Sequence, residues 1–194
     1  MARPREFDID EALDAAMGAF WVRGYEATSL NDLMHAMGLQ KGSIYKAFGD
    51  KHALFLSALQ RYLDRMYEAH REALVEGLSP RAALQAWLDR LIEAAPAEGG
   101  SCRGCLAVNT LVELGPHDEE ARKVLEAHFQ RVRKLLTEQI RRGQEQGEIR
   151  RDVDAGQGAR FLTTMVAGLL GSLKGATSKA EARRLAETTL HLLT

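Results

Sequence analysis

The chain of 194 residues contains few cysteines, few prolines and no long apolar run. Its two cysteines argue against a disulfide-stapled secreted fold, so we expect free thiols in a reducing compartment. The most apolar stretch, residues 161–173, is broken by glycine, serine and threonine and is shorter than the ~20 residues that span a bilayer. The first residues also lack the apolar segment of a secretion signal. These absences predict a cytoplasmic protein without a membrane span.

The chain also lacks an excess of charge of either sign. It has 26 Lys and Arg residues against 27 Asp and Glu residues, a net charge of -1. Because no global field attracts nucleic acid, binding of that kind would require a local basic patch. The 45% hydrophobic content is ample for a folded core.

Apolar residues recur at helical spacing along almost the whole chain, and no stretch shows the sustained alternation of a half-buried strand. This pattern predicts an all-α protein. Glycine, proline, serine and aspartate divide it into about nine helices. We expect the first four helices over residues 8–23, between Ser29 and Gly38, over residues 41–48 and over residues 51–76. The fifth begins at Pro80, and the last four cover residues 105–114, 118–146, 154–176 and 178–193. No internal repeat is visible.

Helices two and three are separated by residues 38–40, a three-residue turn that contains glycine and is typical of a helix-turn-helix. On a helical wheel, Ile44 and Phe48 of the third helix lie on one side. Gly42 and Lys46 lie on the other. The first side is predicted to be core and the second to be a contact surface.

Positive charge is concentrated at this predicted contact surface. Residues 40–51 hold three lysines and one aspartate, whereas residues 1–51 as a whole carry a net charge of -2. Lys51 stands in the first turn of helix four, where the helix dipole disfavours a cation, so we expect it to meet an external anion. Arg3 and Arg5 form a second basic cluster on an N-terminal arm. The pattern favours DNA binding, and the alternative is a solvated helical hairpin.

Residues 20–30 and 37–51, FWVRGYEATSL and MGLQKGSIYKAFGDK, resemble the DNA-binding domain of the tetracycline-repressor-like (TetR) family of transcriptional regulators. The resemblance implies a homodimer whose third helices enter successive major grooves of a palindromic operator, ~34 Å apart. It implies a helix-turn-helix DNA-binding domain over residues 1–50 and a ligand-binding and dimerisation domain over residues 51–194. Two positions depart from the family pattern: Gln40 replaces a capping Ser or Thr, and Ala47 replaces an aromatic.

The DNA-binding residues follow from the basic patch and the resemblance together. Carried over by position, Thr28, Tyr45 and Lys51 contact phosphates, and the groove-facing residues lie on helix three. The complete predicted set is Arg3, Arg5, Thr28, Ser29, Gln40, Lys41, Gly42, Ser43, Tyr45, Lys46 and Lys51.

The resemblance also implies a small-molecule pocket among helices four to eight, and ligand binding there would release a repressor from its operator. Apolar periodicity supplies candidate lining residues, and a few polar side chains could anchor an effector. The candidates are Tyr62, Met66, Trp87, Leu91, Cys105, Asn109, Glu113, His128, Phe129, Val132, Phe161 and Met165. The alternative for each is an ordinary core position.

In the family the last two helices form the dimer interface, and the predicted helix eight is apolar on one side and rich in small residues on the other. Small residues permit close helix approach, whereas the alternative is an interior helix of a monomer. The predicted interface comprises Gly168, Gly171, Gly175, Leu185, Ala186, Thr189, Leu190 and Leu193.

Cys102 and Cys105 are separated by two residues, so a thiol-based redox or electrophile sensor on the same scaffold is an alternative function. The opposing interpretation is one small buried thiol and one bystander. The six histidines show no zinc-ligand spacing with these cysteines.

We find no nucleophile-base arrangement or phosphate-binding glycine loop, which argues against an enzyme. We therefore expect no cofactor, and as partners an operator duplex, a second copy of the chain and an unidentified effector.

Overall fold

The computed structural model describes residues 7–75, 78–94, 103–175 and 177–194. Within these ranges the chain forms nine α-helices and no strand, which confirms the predicted all-α class. The helices are α1 (Ile9–Arg23), α2 (Leu30–Met37), α3 (Lys41–Phe48), α4 (Lys51–Val75), α5 (Pro80–Glu93), α6 (Leu106–Glu113), α7 (Glu119–Glu145), α8 (Ala155–Ser172) and α9 (Lys179–His191).

Side-chain caps set most of the helix starts. Seven helices begin after an Asp or Ser whose side chain accepts a hydrogen bond from a backbone N–H of the first turn. These capping residues are Asp8, Ser29, Asp50, Ser79, Asp118, Asp154 and Ser178. The sequence signals for helix starts are therefore accurate to about one residue.

Helix α8 ends at Ser172, four residues before the predicted end. Lys174 and Gly175 donate backbone hydrogen bonds to Gly171 and Ser172 in a tighter turn. Glycine has a low helix propensity, which favours an end of α8 at this point. The next helix starts soon afterwards, because Ser178 caps it. The helix therefore ends although the apolar pattern continues.

Two apolar clusters form the core, and α4 contributes to both. The N-terminal cluster joins α1, α2 and α3 to the first half of α4, to α6 and to the start of α7, around Phe20, Leu33, Ile44 and Phe55. The C-terminal cluster joins the end of α4 to α5, α7, α8 and α9. Because its 25 residues extend ~37 Å, α4 links the two clusters as one rigid element. The division between residues 50 and 51 stays a prediction.

An ion-pair network fixes α1 against α4. Arg61 contacts Asp10 and Asp14, each with an N···O distance of 2.7 Å, and Arg65 also contacts Asp14. Hydrogen bonds from Arg61 and then Arg65 hold the pKa of Asp14 well below its ordinary value. These contacts set the position of the first helix on the connector helix.

None of the helices in the described ranges is long and apolar enough to cross a membrane.

Candidate DNA-binding surface and effector cavity

Local hydrogen bonds build the turn between α2 and α3. The Ser29 side chain accepts a hydrogen bond from the backbone N–H of Asp32, and the Asp32 carboxylate accepts one from the backbone N–H of Ser29. At the other end of α2, Gly38 adopts a left-handed conformation with φ of 63°, which glycine tolerates without strain. Gln40 precedes α3, and its side chain makes no capping hydrogen bond. This agrees with the sequence, in which Gln40 stands where the family pattern has a capping Ser or Thr.

Helix α3 presents one buried side and one exposed side. Ile44 is fully buried in the N-terminal cluster, and Ser43 is half-buried. The exposed residues are Gln40, Lys41, Gly42, Tyr45 and Lys46. A Cβ placed on Gly42 would meet no atom within 4 Å, so the backbone is open to close approach there. The surface therefore combines two ammonium groups, a phenol and exposed main chain, which suit phosphate and groove contacts.

Aromatic rings accompany two of the lysines. The Lys41 Nζ lies 5.5 Å from the centre of the Tyr45 ring, and the Lys51 Nζ lies 4.4 Å from the centre of the Tyr25 ring. Lys51 thus has a partner inside the protein, and its expected contact with an external anion stays a prediction. The ring's negative face offsets the unfavourable helix dipole.

Two other sequence predictions for DNA contacts need comment. Thr28 is fully buried, and its hydroxyl donates to the carbonyl oxygen of Gly24, so the predicted phosphate contact through this side chain is wrong. The resemblance implied an exposed Thr28 side chain, because a match of sequence positions does not show which side chains are buried. Ser29 next to it is exposed. Arg3 and Arg5 lie outside the described residues.

Helix α6 contacts the turn that precedes α2. The Glu113 carboxylate accepts hydrogen bonds from the backbone N–H groups of Tyr25 and Glu26, at 3.0 and 2.9 Å. Gly24 has φ of 84°, and a Cβ there would lie 2.8 Å from a Glu113 carboxylate oxygen. Glycine adopts this positive φ without strain, and a side chain here would displace the Glu113 carboxylate. We call the contact between Glu113 and residues 24–26 the turn contact.

The loop before α6 makes a second contact with the N-terminal helices. The indole N–H of Trp21 donates to the carbonyl oxygen of Gly104 at 3.0 Å. The Arg103 guanidinium lies 5.9 Å from the centre of the Trp21 ring, and Tyr62 packs edge-on against that ring with centroids 4.9 Å apart. The start of α6 is thereby attached to the end of α1.

Two adjoining cavities lie between α4 and the C-terminal helices. The inner cavity has a volume of about 50 Å³, and the outer cavity has a volume of about 270 Å³. They share Tyr62, Met66, Leu91, Cys105 and Leu170. The inner cavity is lined further by His70, Trp87, Ala107, Val108, His128, Phe129, Val132, Thr163, Val166 and Ala167. The outer cavity extends to Trp21, Ala94, Arg103, Gly104 and Leu173.

The structure brings eight of the twelve predicted pocket residues to these cavities. They are Tyr62, Met66, Trp87, Leu91, Cys105, His128, Phe129 and Val132.

The other four predicted pocket residues do not line the two cavities. Asn109 donates to the Arg103 carbonyl and accepts from Lys174, and Glu113 forms the turn contact. Phe161 is 42% exposed, and Met165 packs against the C-terminal cluster outside the cavity lining. Helical periodicity identifies an inward face, but it does not distinguish the cavity from the core or from a neighbouring helix.

Sequence reasoning missed several cavity residues, of which His70 and Trp21 matter most. His70 lies four residues after Met66, so the helical spacing of the predicted residues on α4 could have found it. Trp21 belongs to α1, and only the packing of that helix against α4 and the 103–105 loop brings it to the cavity.

Two neutral imidazoles lie in the inner cavity. The indole N–H of Trp87 donates to His70 Nδ1 at 2.9 Å. Burial, followed by the proximity of His128, lowers the pKa of His70 to about 4. Burial and then the charge of Arg131 lower the pKa of His128 to about 4, against the opposing effect of Asp64. The His128 Nδ1 atom is buried and has no hydrogen-bond partner among the described residues.

A tyrosine and a thiol meet where the cavities join. The Tyr62 hydroxyl donates to Cys105 Sγ at 3.4 Å, and burial followed by the neighbouring Cys105 raises the pKa of Tyr62 well above its ordinary value. Cys105 is a free, half-buried cysteine, and Cys102 lies outside the described residues. No group of three potential metal ligands comes together in the described part of the chain.

The predicted dimer surface divides into exposed and buried residues. Gly168, Gly171 and Gly175 are exposed, with no atom within 4 Å of a Cβ built on them, and Leu185 is 47% exposed. The predictions for Ala186, Thr189, Leu190 and Leu193 are wrong. These residues are buried within the subunit, so they offer a partner no surface. The other side of α9 packs against α5, a neighbour that spacing did not reveal.

Two family descriptions match the chain. "Bacterial regulatory proteins, tetR family" matches residues 12–58, and "Tetracyclin repressor-like, C-terminal domain" matches residues 80–189. The transcriptional repressor ComR of Escherichia coli (strain K12) is 32% identical over 191 residues, which cover 98% of this chain and 90% of ComR. The repressor KstR2 of Rhodococcus jostii (strain RHA1) is 30% identical over 78% of this chain and 72% of KstR2.

Solved structures show the same similarity. A cysteine mutant of the TetR family regulator CifR, in complex with a 26-bp operator duplex, superposes with a TM-score of 0.86 and 33% identity over the full length of both chains. The reduced form of E. coli NemR gives a TM-score of 0.86 at 20% identity, which shows the fold alone. The chain therefore belongs to the TetR family of DNA-binding transcriptional regulators.

Proposed function

We propose that the protein is a dimeric transcriptional repressor that binds a palindromic operator through α3 and is released by a small, largely apolar effector in the cavities. The observation that carries the DNA-binding part is the exposed lysine-bearing side of α3, opposite the fully buried Ile44. The operator complex of CifR, a relative of full-length similarity, supports this use of the fold. ComR and KstR2 are both named repressors, which favours repression.

The proposed operator contacts are made by the exposed residues of α3 and its flanks. Lys41, Gly42, Ser43 and Lys46 face the major groove, where the two ammonium groups reach base edges and the phosphates that line the groove. Ser29, Gln40, Tyr45 and Lys51 approach phosphates at its sides. Arg3 and Arg5 remain candidates for the N-terminal arm.

The experiment that tests operator recognition compares Lys46→Ala with Lys134→Ala, which removes an exposed lysine of α7. The DNA is a duplex from upstream of the protein's own coding sequence, measured beside a scrambled duplex by fluorescence anisotropy across salt concentrations. We expect Lys46→Ala to weaken binding ~10-fold and to reduce the salt slope by about 1 per subunit, because phosphate contacts release counterions. Equal behaviour of the two variants contradicts the proposal.

The geometry supports coupling between the cavities and α3 through α6. Cys105 immediately precedes α6 and lines both cavities, and Glu113 at the end of α6 makes the turn contact. Helix α4 gives a second route, since Tyr62 and Met66 line the cavities while Leu54 and Phe55 pack under α1 and α3. An effector that favours one position of these helices would shift the population of DNA-binding geometries.

The exposed glycine stripe of α8 supports the proposed dimer. Gly168, Gly171 and Gly175 permit close approach of a second helix, and Leu185 and Leu192 of the C-terminal segment expose apolar side chains. Most soluble oligomers are symmetric dimers, and a twofold pair would present two α3 helices to a palindrome.

A thiol-based response is the second candidate function, and the position of Cys105 favours it. The sulfur lies at the junction of the cavities beside the Tyr62 hydroxyl. With an α,β-unsaturated carbonyl compound, the sulfur would bond to the β-carbon and the thiol proton would end on the α-carbon. Cys102 could take part as a second thiol. If operator binding by Cys105→Ser responds to N-ethylmaleimide and peroxide as the parent protein does, this candidate is rejected.

A further inference from the structure

We propose that the effector is an uncharged molecule with an apolar body and one hydroxyl-like polar group, which hydrogen-bonds to His128 in the inner cavity. This inference rests on the proposed effector role of the cavities and specifies the ligand that they accept.

The unpaired ring nitrogen of His128 is the primary observation. His128 is 6% exposed, it lines the inner cavity, and its Nδ1 atom has no hydrogen-bond partner among the described residues. Buried polar atoms in folded proteins are almost always hydrogen-bonded. An occupant of the cavity can supply the missing partner.

The other polar groups of the inner cavity already have partners. His70 Nδ1 accepts from the Trp87 indole, the Thr163 hydroxyl donates to backbone carbonyls of α8, and the Tyr62 hydroxyl donates to Cys105. His128 Nδ1 is therefore the buried side-chain atom of the described residues that lacks a hydrogen bond, and a ligand that bonds to it breaks no existing one.

Charge distribution excludes an ionised ligand head at this point. The side chains that line the inner cavity include no carboxylate, lysine or arginine, and both imidazoles are neutral at pH 7 because burial depresses their pKa values. The nearby ions are paired with each other: Arg131 bonds to Asp64 at 2.9 Å and lies 3.9 Å from the centre of the Tyr67 ring. A buried ion without a countercharge is strongly disfavoured.

A hydroxyl fits His128 better than other uncharged groups. A neutral imidazole nitrogen is either a donor or an acceptor, depending on the tautomer, and a hydroxyl can complement both forms. The remainder of the ligand would lie against Met66, Phe129, Val132 and Leu170 and extend toward the outer cavity.

The test uses four probes with the same body: 4-phenyl-1-butanol, butylbenzene, 4-phenylbutyrate and 4-phenylbutylamine. Their affinities at pH 7.5 are measured by calorimetry and by tryptophan fluorescence, since Trp87 lines the inner cavity. The variants are His128→Leu, His128→Gln as the hydrogen-bonding control, and Met66→Leu as an apolar control in the same cavity. Thermal unfolding identifies any variant that does not fold.

We expect the alcohol to bind at least ~10-fold more tightly than the amine, because neither cavity is lined by a carboxylate. Any binding of 4-phenylbutyrate at Arg103 of the outer cavity should not depend on His128. His128→Leu should reduce the preference for alcohol over hydrocarbon ~10-fold without weakening butylbenzene, while His128→Gln restores much of it and Met66→Leu leaves it unchanged. An alcohol preference unaffected by His128→Leu, equal binding of the amine, or no binding of any probe overturns the inference; the partner of His128 is then water.

Operator binding is measured separately with the upstream duplex. If the alcohol binds with the expected dependence on His128 but leaves operator affinity unchanged, the ligand chemistry is correct and the effector role of the cavity is wrong. If operator affinity falls with a charged probe while the alcohol has no effect, the effector role holds and the inference about the ligand fails.

Discussion

At the scale of single residues, Glu113 and His128 show how a side chain's surroundings decide its role. Both were predicted to be polar anchors of a pocket, and they occupy helical faces that look alike in sequence. Glu113 instead binds two backbone N–H groups of the turn before α2, whereas His128 lies in the inner cavity with one nitrogen unpaired. We therefore expect substitutions of Glu113 and of His128 to have different effects.

Replacing Glu113 with Ala should loosen the turn that precedes α2. Two backbone N–H groups lose their acceptor, and each net hydrogen bond contributes about 1 kcal/mol to stability. We therefore expect amide exchange of Tyr25 and Glu26 to become several-fold faster, with an unfolding free energy lower by about 1–3 kcal/mol. Hydrogen-exchange mass spectrometry measures the first and urea denaturation the second. Val112→Ala on the same helix is the control, because Val112 is 76% exposed; unchanged exchange in Glu113→Ala means that the turn contact is absent in solution.

The buried histidines predict a loss of stability in mild acid. His70 and His128 have pKa values of about 4 in the fold, below the ~6.5 expected when unfolded. Between these values the unfolded chain binds more protons, so the free energy of unfolding should fall as the pH drops from about 6.5 toward 4. Arg131 favours the neutral form of His128, and Asp64 opposes it.

His128→Leu removes one of these titrating groups. We expect the parent protein to lose about 2 kcal/mol more than this variant between pH 7 and pH 5, measured by denaturant titration at each pH. Parallel pH dependences of the two proteins would show that His128 is accessible to protons in the fold.

At the scale of elements, α3 has a residue composition that disfavours helix formation, and one of its sides is exposed. Its eight residues include Gly42 in the first turn, and no side chain caps it, so its stability depends on the burial of Ile44. The sequence predicted the faces of this short helix correctly because each depends only on the 100° rotation per residue. Its packing against α4 is a tertiary contact.

Gly42→Ala should separate the stability of α3 from its function. A methyl group there meets no protein atom, so it should raise the free energy of unfolding by about 0.5–1 kcal/mol through helix propensity. The same methyl lies where DNA backbone would approach, so operator affinity should fall. Gly18→Ala in α1 is the matched control, since its added Cβ also meets nothing within 4 Å. Thermal unfolding and fluorescence anisotropy are the two measurements, and equal operator affinity in both variants argues against close approach at Gly42.

At the scale of the whole molecule, the two core clusters share α4 and α7, and the cavities lie between α4 and the C-terminal helices. Helix α8 contributes to the lining of the inner cavity and also presents the exposed glycine stripe. Ligand binding and subunit association would therefore involve opposite sides of one helix, since Val166, Ala167 and Leu170 line the inner cavity and Gly168 and Gly171 are exposed.

Gly171→Arg should prevent dimer formation without unfolding the subunit, because the added side chain extends into open space. We expect sedimentation to show a species of half the parent mass and operator affinity to fall at least ~100-fold, since two linked heads bind more tightly than one. Gln130→Arg adds the same charge to an exposed position of α7 and should keep the parent mass. If the Gly171→Arg protein remains dimeric, the interface lies elsewhere on the subunit.

Sequence patterns were enough to predict the helices, the turn at Gly38 and the exposed side of α3, because helix periodicity, caps and glycine conformations are local properties of the chain. They also predicted eight of the residues that line the cavities. Which inward-facing residues border empty space, which pack in the core and which bind a neighbouring element depends on the packing of the helices, as Met165, Thr28 and Glu113 illustrate. Those outcomes depend on contacts between residues distant in sequence, and a pattern along one helix carries no information about the helix opposite.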